Sequence, residues 1–165
     1  MKRRFVVWRG TDEWRAEAAA LELRADGLRA AGTQIGAGYR IDYELDAGGD
    51  GFATRRLTVT VERDGERDQF ALGRDAMGGA TDCGLALSPL TNAMPILRHR
   101  LHERPGAHEF TMAWVDVPSL ALVESRQRYE HVAAGKQPRR DAPPHVPRTN
   151  NRDVHPEPPA RWAWL

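Results

Sequence analysis

The polar chemistry of this chain centres on Asp82, Arg98 and the Thr91-Asn92 pair between them. An aspartate serves as a base or as an acceptor of several hydrogen bonds. An arginine presents a planar fork of donors to a carboxylate or phosphate, and Thr-Asn offers a hydroxyl, an amide and exposed backbone groups. That combination suits a polar head group at the mouth of an apolar cup. The competing reading is structural, with Asp82 and Arg98 as an ion pair and Asn92 bonding back onto its own turn. Trp8, Trp14, Trp114, Tyr39, Tyr43 and Tyr129 either line a ligand cavity, stacking on sugar faces, or simply fill a core. Arg126-Gln127-Arg128-Tyr129 is expected to follow the last strand, where it either closes one end of a barrel or forms a solvated face.

Catalytic arrangements find little support. Cys83, His99 and Asp82 could be drawn into a nucleophile, base and acid, but neighbours on a strand point to opposite faces, so Cys83 and Asp82 cannot cooperate. Cys83 reads instead as a small buried hydrophobe. His99 and His102, three apart on an expected strand, also face opposite sides and make a poor metal pair. No Cys/His spacing resembles a zinc site. Gly36-Ala37-Gly38 and Gly78-Gly79 lack the strand-to-helix setting of a phosphate loop. No catalytic residue, metal or cofactor is expected.

The elements that must position these residues are mostly strands. Phe5–Trp8, Tyr39–Leu45, Arg55–Glu62 and Gln69–Leu72 are the clearest early runs. In Leu57-Thr58-Val59-Thr60-Val61 the apolar residues alternate with threonines, the period of a sheet with one face buried. Asp64-Gly65 marks a hairpin, and Ala47-Gly48-Gly49-Asp50-Gly51 marks the loop from the Tyr39 strand to the Arg55 strand. Residues 12–31 are ambiguous: propensity favours helix, whereas the alternation of Ala19, Leu21 and Leu23 with glycines at 27 and 32 favours a meander. Leu85–Leu87, Met94–Leu101, Glu109–Val117 and Ala121–Val123 continue as expected strands. The fold class is mainly β: a strongly curved antiparallel sheet, an open or half-closed barrel, with few short helices.

The segment from Gly79 to Arg98 resembles the signature of the putative glycolipid-binding family. In that family an Asp-bearing strand is followed by a Thr-Pro-x-Thr-Asn turn and a Leu-Pro-Ile-Arg-Arg-Leu strand. Asp82, Pro89, Thr91, Asn92, Pro95, Ile96 and Arg98 fall in register, with further support from Ala113-Trp114-Val115, Pro118, Gln127-Arg128-Tyr129 and Arg55-Arg56-Leu57. The resemblance covers residues 5–132 and is strongest over 79–129. Where the family shows a Gly-Cys pair and a second aspartate, this chain has Gly79-Ala80 and Gly84, and Leu97 replaces the first arginine of the pair. A head-group contact through that second carboxylate or that first arginine therefore lacks its residue here. The resemblance implies a curved β-structure similar to lipoprotein-carrier folds, with an apolar hollow for a lipid or glycolipid. It marks Asp82, Thr91, Asn92, Arg98, Trp114, Tyr129 and Arg55 as ligand-binding candidates.

The composition is compatible with that expectation. The chain has 165 residues, 41% hydrophobic and 28% charged, with a net charge of +1, which gives no basic surplus for nucleic acid. A single cysteine suits a reducing compartment. The apolar run behind Met1-Lys2-Arg3-Arg4 is too short for a signal h-region, and no stretch is long enough for a membrane span, so a cytoplasmic location without membrane insertion is expected. Residues 135–160 hold seven of the eleven prolines and read as an extended tail, so the chain divides into a β domain at 1–134 and a tail at 135–165. Residues 136–165 carry +3 and residues 1–135 carry −2. Trp162 and Trp164 at the tail's end would dock on the body, on a second copy to form a homodimer, on a partner, or on lipid. Non-enzymatic binding of a lipid-like or glycolipid ligand in an apolar cavity is the leading functional expectation. The alternatives are an enzyme acting on a lipid-like or glycan substrate, with Asp82 as base, and an interaction module using the tail.

Overall fold

The structure, a computed structural model, describes residues 1–11, 13–49, 51–103 and 106–130. The tail and its two tryptophans lie outside the described residues. Six strands form an antiparallel meander in chain order: β1 (Lys2–Arg9), β2 (Ala16–Leu23), β3 (Gly27–Gly36), β4 (Tyr39–Gly48), β5 (Thr54–Arg63) and β6 (Glu66–Gly73). A second sheet has β7 (Asp82–Leu85) parallel to β8 (Ala107–Val115), which pairs antiparallel with β9 (Leu122–Glu130). The fold is mainly β, as expected, in two sheets and without a closed barrel. A short helix, α1 (Ala93–Arg98), follows a 3-10 turn at Leu90–Asn92.

The strand register explains which side of the meander is buried. Arg4, Leu21, Ala30, Leu45, Leu57 and Leu72 form one cross-strand row, and Val6, Ala19, Gly32, Tyr43, Val59 and Phe70 the next. This inner face packs into one core with Cys83, Leu85, Ala113 and Val115 of the second sheet and with Leu90 and Met94. Asp64 and Gly65 both take positive φ, 54° and 81°, as a tight hairpin turn with right-handed twist requires.

Of the two readings of residues 12–31 the meander forms, as β2 and β3, because tertiary pairing overrides the helical propensity of the alanines. Three local expectations change. Met94–Leu101 is not a strand. Pro95 is the third residue of α1, where a helix needs no N–H, whereas in a sheet it would lose a ladder bond. The reasoning that placed His99 and His102 on opposite strand faces falls with it. Arg126–Tyr129 lies inside β9 rather than after the last strand, and β7 ends at Leu85.

A buried carboxyl joins the layers. Glu17 is fully buried on the inner face of β2, in line with Trp8, Gln34 and Ile41. The Tyr43 hydroxyl donates to Glu17 Oε1 at 2.5 Å, Ser88 Oγ donates to the same oxygen at 2.8 Å, and Gln34 Nε2 donates to Oε2 at 3.3 Å. Gln34 Nε2 also reaches the Ala86 carbonyl at 3.4 Å. Gly32 makes this geometry attainable, since a Cβ there would collide with the Tyr43 ring as it crosses β3 toward β2. Desolvation raises the Glu17 pKa to about 7 despite the three donors.

Two outcomes are expected. Glu17 has an ordinary pKa of 4.5, so between pH 4.5 and about 7 the folded state holds a proton that the unfolded state releases. Its contribution to stability therefore declines as pH rises through that window and levels off above it, with an amplitude of about 3 kcal/mol. Glu17→Gln should flatten this slope in urea denaturation between about pH 5 and pH 8. Gly32→Ala should cost about 1–3 kcal/mol by displacing Tyr43. Tyr43→Phe should then cost much less in the Gly32→Ala background than alone, which a double-mutant cycle reads directly.

Candidate functional site

Strand alternation gives the second sheet two different faces. Cys83, Leu85, Ala113 and Val115 join the main core, whereas Asp82, Gly84, Met112 and Trp114 share the opposite face. Met112 is fully buried yet lies outside the main core cluster. The same face continues through Phe110 and His108, paired with Gln127 and Tyr129 of β9.

Asp82 is buried on this face and is ion-paired to Arg98 Nη2 at the end of α1. The aliphatic stem of Arg98 crosses Gly51, whose φ is +66° and whose absent Cβ would lie 3.0 Å from Arg98 Cγ. Burial raises the Asp82 pKa, outweighing the lowering by Arg98. The guanidinium engages the carboxylate through one arm. Asp82 Oδ1 and Arg98 Nη1 are buried with no hydrogen-bond partner among the described residues, a neighbouring acceptor and donor.

An aromatic ladder runs outward from the pair. Arg98 Nε lies 3.3 Å from His99 Nε2. The His99 ring is 4.9 Å from Phe110 and 5.7 Å from His108, and Phe110 meets Tyr129 edge-on at 5.6 Å. His99 and His108 are exposed, and Phe110 and Tyr129 are half-buried. Burial and the neighbouring Arg98 and His108 lower the His99 pKa, which favours a neutral imidazole. The Tyr129 hydroxyl lies 2.8 Å from both Asn92 Oδ1 and Gln127 Oε1, and its pKa is raised by burial.

The structure thus gathers Asp82, Arg98, Asn92 and Tyr129 around α1. Asn92 bonds to Tyr129 across the sheet rather than to its own turn. Thr91 is fully buried, with Oγ accepting from Leu85 N and donating to the Ser88 carbonyl, both at 3.2 Å, so it staples the turn. Trp114 lies across Gly84, where a Cβ would collide with its ring. Arg55 is exposed, its guanidinium against Gly48 and Gly49 in the loop that also meets the Arg98 stem. Cys83 is buried beside Thr54, and burial pushes its thiol up to about 12. Sequence reasoning missed the meeting of His99 with His108 and Phe110, because it placed His99 on a strand that does not form and because β8 lies apart from α1 in the chain.

Grooves open on the surface of the described residues, away from the Asp82–Arg98 pair. One, about 840 Å³, is bordered by Arg3, Ala20, Glu22, Ala31, Asp46 and Arg56 among others. Another, about 600 Å³, lies at the ends of the β3–β4 and β5–β6 hairpins. Among the described residues no group of three or more His, Cys, Asp or Glu is placed to hold a metal ion, and no helix is long and apolar enough to cross a membrane.

Comparison with solved structures finds a DUF1089 family protein from Pseudomonas aeruginosa, with a TM-score of 0.55 and 23% identity over 75% of this chain and 74% of that one. This likeness shows the fold. No curated protein matches the chain. The model of the family described as "Putative glycolipid-binding" matches residues 5–145, which includes both sheets, α1 and the Asp82–Arg98 pair. The chain therefore belongs to this family.

Proposed function

We propose that the protein binds, without catalysis, a lipid-like ligand bearing a sugar head group. The observation that carries this reading is the unpaired donor and acceptor of the Arg98–Asp82 pair beside the His99–Phe110–Tyr129 ladder. Both atoms are buried, so the ligand must first uncover them; a sugar hydroxyl, which both accepts and donates, then satisfies Nη1 and Oδ1 together, while the apolar face of the ring stacks on an aromatic side chain. Asn92 and Tyr129 offer further polar contacts at the same rim. The family to which the chain belongs supports the ligand class.

A non-enzymatic role fits the surroundings of Asp82. Among the described residues its side-chain hydrogen-bond partner is Arg98, which does not exchange protons at ordinary pH. The acyl chain belongs on the same face of the second sheet as Asp82, against Phe110, Met112 and Trp114. The interior of the meander lies across that sheet and is filled by Ile41, Leu57, Val59 and Leu72.

The test compares methyl glucoside with octyl glucoside, below its micelle concentration, by calorimetry on detergent-free protein. Burying even two methylenes is worth about 1.6 kcal/mol, more than tenfold in affinity. Octyl glucoside should therefore bind at least about tenfold tighter than methyl glucoside. Arg98→Lys, which keeps the charge opposite Asp82 but loses the fork, should weaken both by about tenfold. Absence of binding, an unaffected Arg98→Lys variant, or hydrolysis of either glycoside would defeat the proposal.

A further inference from the structure

Among the described residues no element covers the outer face of the meander, and its β1 corner is unusual. Strand alternation places Arg3, Phe5, Val7 and Arg9 on this face. Phe5 is 71% exposed and Val7 62%, with Ile35 of β3 at 44% and Trp14, in the loop between β1 and β2, at 69%. Beneath and between them Ala16, Ala18, Ala20 and Ala31 make a low apolar floor across β2 and β3. β1 carries Lys2, Arg3, Arg4 and Arg9 with no acid. Of the acids near this patch, Glu22 lies 2.6 Å from Arg24 and 3.9 Å from Arg3, Asp42 lies 3.0 Å from Arg40 and Glu13 lies 3.6 Å from Arg15, while Glu44 stands exposed beyond Ala31 at the far side from β1.

We propose that this corner docks the protein on the surface of an anionic lipid bilayer. Aromatic and aliphatic side chains that are costly to leave in water enter the interface, while the flanking cations meet lipid phosphates. The charge pattern favours this occupant over a second copy. In the antiparallel register centred on Val6, β1 paired with its own image sets Arg3 against Arg9 of the other copy at both ends of the Phe5–Val7 pairs, and basic edge strands resist such pairing. The patch also spreads over three strands instead of following the free edge of β1, which suits a planar partner better than a single extended peptide.

The contact is peripheral, salt-sensitive and independent of the Arg98–Asp82 site. The full chain should cosediment with vesicles of phosphatidylcholine containing about 30% phosphatidylglycerol at about 50 mM salt, but not with pure phosphatidylcholine. Binding should drop at least about tenfold at about 500 mM salt. Phe5→Ser with Val7→Ser, and separately Arg3→Glu with Arg9→Glu, should each reduce binding by about tenfold or more, with unchanged thermal melts because these side chains are exposed. No selective binding to the anionic vesicles would overturn the proposal. So would binding that both variants retain, since the contact would then lie elsewhere. A dimer in light scattering that Phe5→Ser with Val7→Ser dissolves would assign the corner to a second copy and overturn it too. These vesicles carry no sugar, so a failure here leaves the ligand reading standing.

Discussion

A single carboxyl buried between layers constrains how this chain folds. Glu17 cannot be hydrated where it sits, so its oxygens must find donors inside the protein. Tyr43 supplies one from β4, Gln34 one from β3 and Ser88 one from the turn after β7. Hydrogen bonds are directional, whereas apolar packing tolerates sliding, so this knot fixes the register of the second sheet against the first more tightly than the surrounding leucines could. Gly32 belongs to the same constraint, because only a residue without a side chain lets the Tyr43 ring lie across β3.

The turn after β7 carries that constraint into the candidate site. Leu87 takes a positive φ of 63°, and Thr91 ties the Ser88 carbonyl to the Leu85 amide. With residues 85–91 held at both ends, α1 begins at a set position and delivers Arg98 to Asp82. Asp82 and Cys83 show what alternation does to neighbours. Cys83 enters the main core beside Thr54, while Asp82 turns to the far face and meets Arg98. Burial raises both pKa values. Asp82 keeps a strong ionic partner, whereas the thiol is left as an inert packing group.

The two faces of the meander divide the physical work. The inner face is apolar and filled, so it supplies cohesion. The outer face carries charges in alternating cross-strand order, as in Arg3, Glu22, Arg29, Asp46 and Arg56. Exposed pairs of this kind contribute little to stability. They mainly hydrate the broad outer face, and the β1 corner stands out because β1 itself carries four cations and no acid.

Much of the meander was legible in the residues. Period-two alternation in Leu57–Val61 and the Asp64-Gly65 turn are local signals, set by steric rules that act over a few residues. The segment that builds the candidate site was legible as well, since Asp82, Asn92 and Arg98 stand within one recognisable stretch. Glu17 could have been suspected once 16–23 was read as a strand, because it shares its parity with Ala19 and Leu21. The helix at Ala93–Arg98 had one local signal, Pro95, which fits a first helical turn and would lose a ladder bond in a sheet, but the Met, Ile and Leu around it suit either structure. The parallel pairing of β7 with β8, the hydrogen bonds of Glu17 to Ser88 and the ladder from His99 to Tyr129 join residues far apart in the chain. Local propensity and spacing therefore determined where strands and turns form. The tertiary structure alone decided which polar groups meet, because burial and hydrogen-bond geometry between distant segments exist only after the layers close.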